Sequence, residues 1–127
     1  MATLTGLILT LKQTEAQQLL KIVDVVYSYT LTCTTVEWER NASFDISVDI
    51  LGDDVVADDV LATGVDRHIV ECGGRPPQPI EMQRSFVVGQ SLLNEDVGTD
   101  EIKLRIRALD AAGDEIVADT GVVFGNF

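Results

Sequence analysis

Basic residues are scarce in this 127-residue chain: 9 Lys plus Arg stand against 21 Asp plus Glu, for a formal charge of -12. That balance argues against a nucleic-acid partner, because phosphate binding draws its affinity from cationic side chains that displace counterions. Proline at 3 and glycine at 10, with 46% apolar residues, exclude a collagen-like or disordered polymer. No stretch approaches the roughly 18 to 20 apolar residues of a membrane-spanning helix. The first eleven residues, Met1 to Leu11, lack a cationic segment and interrupt their apolar residues with Thr and Gly. They do not read as a secretory signal, so a chain made in the cytoplasm is expected. The length fits one domain over residues 1–127.

Cysteine occurs twice, as Cys33 and Cys72. The pair permits one intramolecular bridge, two buried free thiols, or bridges between subunits. With His68 as the single histidine, the set falls short of the four ligands of a structural zinc site.

What the chain does have is a period of two. Phe44 to Ile50 places apolar residues at every even position, and Ile102 to Ala108 alternates the same way. The second run continues through Asp110-Ala111-Ala112-Gly113-Asp114 into Glu115 to Thr120, which predicts a hairpin with Gly113 at positive φ. Val26 to Cys33 alternates with Tyr27, Tyr29, Leu31 and Cys33 on one face. The parity then switches at Val36 and Trp38, for which a β-bulge near Thr34-Thr35 is the expected cause. Further strands are predicted over Leu4 to Leu11, Arg67 to Cys72 and Ile80 to Val88. The three prolines and two glycines of residues 73–79 make a loop. Thr14 with Gln17 three residues on reads either as the cap of a short helix or as a strand changing sheets. Seven or eight short strands without a long helix describe an all-β antiparallel sandwich, of immunoglobulin-like or fibronectin-like topology. Such a superfold carries no function with it.

Catalytic constellations are thin. His68 shares strand parity with Cys72, but four residues of extended strand separate them by about 13 Å. Neither a G-x-S-x-G elbow nor a phosphate-binding glycine motif is present. Glu37 and Glu39, on one face of the expected strand, form an acid pair of the glycosidase kind only by parity, with Trp38 on the other face. No enzyme is expected.

Two acidic segments carry more. Asp49, Asp53, Asp54, Asp58 and Asp59 put five carboxylates into eleven residues beside Gly52, and Asn94, Asp96 and Asp100 surround Gly98 in a second segment. Calcium takes six to eight oxygens from such side chains, although neither spacing is that of an EF-hand. Solvated loops that keep the protein soluble are the plainer reading, and no other cofactor is expected. Lys103, Arg105 and Arg107 form a cationic row on one strand face. The row is expected either to pair with carboxylates across the sheet or to dock on the acidic surface of a neighbouring copy. Asn41-Ala42-Ser43 matches a glycosylation acceptor and reads as a turn. The tail from Val122 to Phe127, with Phe124 and Phe127, is apolar enough to be covered by a partner. The functional expectation is a structural module that binds copies of itself or other subunits of a larger assembly, such as a decoration, neck or tail component of a bacteriophage-like virion. An extracellular adhesion or ligand-binding sandwich, taking calcium on its acidic loops, is the alternative.

Overall fold

Alternation between water and core settles the strands first. The computed structural model describes residues 1–52, 59–73, 79–93 and 100–125. In chain order the elements are β1 (Thr3–Lys12), α1 (Glu15–Leu20), β2 (Ile22–Thr32), α2 (Thr35–Glu39), β3 (Ser43–Gly52) and β4 (Asp59–Glu71), followed by β5 (Pro79–Gly89), α3 (Gln90–Leu93), β6 (Asp100–Asp110), β7 (Glu115–Asp119) and β8 (Val123–Gly125). All strand pairs are antiparallel and fall into two sheets. One has the order β1-β2-β5; the other runs β4-β3-β6-β7, with β8 also on β6.

The three interior strands β2, β3 and β6 supply most of the core. Every second residue of β2 is buried, from Val23 through Tyr27 and Tyr29 to Leu31, and it meets Phe44, Ile46 and Val48 of β3 and Leu104 and Ile106 of β6. Each such side chain contributes about 1.5 to 3 kcal/mol when it leaves water, which is why the alternation survives in strands whose outer residues are Ser, Thr, Asp or Arg. Gly113 takes φ +92° in the β6–β7 turn, as expected of a residue without a Cβ penalty.

Both short connections after β1 and β2 are helical. Thr14 caps α1: its hydroxyl accepts the Gln17 amide N–H at 3.2 Å while the Gln17 side chain accepts the Thr14 N–H at 2.8 Å. The strand-switch reading of that segment is therefore replaced by the helix. Thr34 and Glu37 repeat the device at the same distances for α2. This corrects the expected bulge: the parity change at Val36 and Trp38 marks the start of a helical turn, because a Thr-x-x-Glu box satisfies two orphan amides that a strand would leave to a neighbour. Glu37 and Glu39 stand on a helix, two residues apart and so off a common face, and the acid pair is withdrawn. Glu37 is instead buried, its second oxygen accepting the Ala2 N–H at 3.2 Å. Burial pushes its carboxyl up, yet the Thr34 and Ala2 donors outweigh that and hold it below the ordinary carboxylate range.

Candidate functional site

Among the described residues β4 and β5 each pair with one neighbour, and they form one open side of the sandwich. Polar side chains close it. Tyr27 and Tyr29 point from β2 into the gap, and Arg84 of β5 lies directly across from Tyr27 in the ladder. From β4, Asp66 and His68, two residues apart and hence on one strand face, reach them from the other sheet. The Asp66 carboxylate accepts the Tyr27 hydroxyl and a forked pair from Arg84, Nε to Oδ2 at 2.8 Å and Nη2 to Oδ1 at 3.2 Å. The Tyr29 hydroxyl meets His68 Nε2. Rings stack alongside, with Tyr27 and Tyr29 centroids 6.3 Å apart and Phe86 edge-on to Tyr27 at 6.1 Å.

The electrostatics follow from that packing. Burial first, and for Tyr27 the Asp66 carboxylate second, push both phenols well above their usual range, so both stay protonated and the Tyr27 hydroxyl donates to Asp66. Burial pushes Asp66 up as well, but Arg84 and Tyr27 overcome it and the carboxylate stays ionised. Burial, then the Arg84 guanidinium, hold the His68 imidazole below its ordinary value. His68 Nδ1 has no hydrogen-bond partner among the described residues. Cys72, the thiol position sharing strand parity with His68, is joined to Cys33 in a disulfide with Cα atoms 6.1 Å apart. The pair ties the end of β2 to the end of β4 and hence one sheet to the other. Tyr27, Asp66 and Arg84, and beside them Tyr29 with His68, thus link the two sheets.

The outer side of β4 is different. Arg67, Ile69 and Glu71 are exposed there, Ile69 to 65%. Arg67 and Ile69 line a shallow hollow of about 430 Å³ together with Asp45. Neither Arg67 nor Glu71 has an ion-pair partner among the described residues.

The cationic row lies on the same sheet face, four strands wide. Lys103 Nζ reaches Asp119 at 3.2 Å, Arg105 grips Asp119 through Nε at 2.8 Å and Nη2 at 3.0 Å, and Arg107 contacts Asp49 at 3.4 Å and Glu115 at 3.3 Å. These are the cross-strand carboxylate pairs that alternation allows. Phe124 stands 65% exposed on β8; Phe127 lies outside the described residues. Of the acidic-loop residues, Asp53, Asp54, Asp58, Asn94 and Asp96 also lie outside them, while Asp59 and Asp100 open β4 and β6. Among the described residues no group of three His, Cys, Asp or Glu is placed to hold a metal, and no helix is long and apolar enough to cross a membrane. Asn41 sits exposed in a left-handed turn at φ +52°.

The inter-sheet cluster was not anticipated from the sequence, although a signal exists. Asp66 and His68 occupy the inward parity of β4, and Arg84 lies between Met82 and Phe86 at the inward parity of β5. A polar residue at a core position of an edge strand asks for a partner from the facing sheet.

No protein family and no curated protein matches this chain by sequence. Among solved structures, a Bordetella pertussis protein provisionally called ApaA is 12% identical, over 97% of this chain and 92% of that one, at a TM-score of 0.46. A structural-genomics target designated SoR45 is 8% identical, over 98% of this chain and 83% of that one, at 0.38. Resemblance at that level carries no argument about function.

Proposed function

We propose that the chain is a non-enzymatic interaction module, a subunit that builds a larger protein assembly from copies of itself or with other subunits, as the components of a bacteriophage-like virion do. The observation that carries this reading is the exposed apolar set on the five-stranded sheet: Ile69 and Phe124 at 65%, Val117 at 45% and Leu109 at 41%. Ile69 and Leu109 stand in one cross-strand row through Asp45, with Val117 beside Arg107 in the neighbouring row and Phe124 at the other end of the same face, and apolar residues so placed are a surface for a partner to cover. The paired charges of Lys103, Arg105 and Arg107 support it, since they leave that face close to neutral in a chain of charge -12, where two copies approach at least electrostatic cost. The strand order β1-β2-β5 against β4-β3-β6-β7 favours a fibronectin-like version of the sandwich.

A second reading, an extracellular adhesion module, is favoured by the Cys33–Cys72 disulfide, because such bonds persist in oxidising surroundings. Light scattering after size exclusion at micromolar concentration, with calcium and again with a chelator, separates the two. A defined oligomer in both buffers is the result expected of a subunit. A monomer in both contradicts self-assembly, and a mass that changes only with calcium favours the adhesion reading.

A further inference from the structure

β4 ends one sheet and, among the described residues, is hydrogen-bonded on one side only. The Cys72 N–H donates to the Ala42 carbonyl at 2.8 Å, and from Glu71 back to Asp66 the register with β3 runs without a slip. Backbone groups alternate sides along an antiparallel strand. The even-numbered residues of this stretch therefore turn their amides toward β3, and Arg67, Ile69 and Glu71 turn theirs to the free edge. The same three residues carry the exposed side chains: a cation, an apolar residue and an anion at spacing two, with both charges unpaired among the described residues.

We infer that two copies of this chain pair through their β4 edges, antiparallel about a two-fold axis at Ile69. In that register residue 69 faces residue 69 of the second copy, and residues equally far on either side face each other. Ile69 then packs on Ile69, Arg67 faces Glu71 of the second copy, and Glu71 faces its Arg67. The outward backbone groups of all three residues meet as hydrogen-bonded pairs, as the alternation requires. Charge selects this register over its neighbours. Centring the axis on Arg67 sets guanidinium against guanidinium, and centring it on Glu71 sets carboxylate against carboxylate, both unfavourable across a ladder. The contact is isologous, as a two-fold dimer demands, and joins two five-stranded sheets into one. Covering the edge also removes a template for uncontrolled pairing.

This inference rests on the assembly reading and names its contact. The test is the solution mass, by light scattering across the micromolar range, of the unmodified chain, Arg67→Glu, Glu71→Arg and the double exchange. Each single reversal puts like charges opposite each other twice and is expected to weaken association about tenfold or more. The double exchange is expected to restore it. Unchanged far-ultraviolet circular dichroism shows that the exposed substitutions leave the fold alone. An oligomer that neither reversal weakens, or that the double exchange fails to restore, overturns the edge pairing and leaves assembly standing. An unmodified chain that is monomeric throughout overturns the edge pairing together with self-assembly.

Discussion

Tyr29 and His68 meet hydroxyl to Nε2 across the two sheets, one from the central strand β2 and the other from the free edge β4. The fold depends there on a neutral imidazole, since burial and then Arg84 hold its pKa below the ordinary value. An unfolded chain takes up that proton near pH 6.5, whereas the folded chain takes it up only at lower pH. Between those points the unfolded state binds more protons, so stability is complete above about 6.5 and is lost as the pH falls through the folded value. Urea midpoints at pH 7.5 and 5.5 should show the loss, and His68→Phe should remove most of it. An equal loss in the variant would contradict the assignment.

Asp66 holds Tyr27 and Arg84 through one carboxylate. Replacing Tyr27 by Phe removes a hydrogen bond to a charged group and should cost about 1.5 to 3 kcal/mol. Combining it with Arg84→Met in a double-mutant cycle should reveal a coupling of about 0.5 kcal/mol or more, because both act on the same carboxylate. Strict additivity would mean that the two contacts are independent.

Gly73 lies against Asn41: a Cβ placed on it would stand 1.8 Å from Asn41 Oδ1 and 2.7 Å from Asn41 Cβ. Gly73→Ala should therefore destabilise the chain by about 1 to 3 kcal/mol. Adding Asn41→Gly removes the obstructing side chain and suits the left-handed turn, so it should recover most of the loss. Thermal or urea unfolding of the single and double variants checks this, and no recovery would place the obstruction elsewhere.

The Cys33–Cys72 bridge closes a loop of sequence separation 39 and links the two sheets. Chain-entropy reasoning gives it about 4 kcal/mol. Unfolding with and without reductant should show a midpoint shift of that order, and coincident curves would refute the staple.

Where alternation was uninterrupted the fold could be read directly, as in Phe44 to Ile50 and Ile102 to Ala108, because burial of one face acts on each residue locally. The Thr14 capping box was legible for the same reason. The identical box at Thr34 was overlooked because Val36 and Trp38 continued an apolar alternation that a helical turn also satisfies, and β4 begins eight residues earlier than Arg67 because its first half lacks strict alternation. The inter-sheet cluster was hidden for a different reason. Which strand faces which across the sandwich is fixed by packing of distant segments, so Tyr27, Asp66 and Arg84 had no visible relation until the sheets were stacked. Likewise, Arg67, Ile69 and Glu71 form a meaningful pattern only once β4 is known to lie at an edge.

The most direct test of that edge is amide hydrogen exchange, resolved by residue and measured at a high and a low protein concentration. The amides of Arg67, Ile69 and Glu71 should exchange slowly in the assembled protein and quickly after dilution, while the Cys72 amide, held by Ala42 within one chain, stays protected throughout. Fast exchange at all three positions in a protein that remains assembled would contradict it.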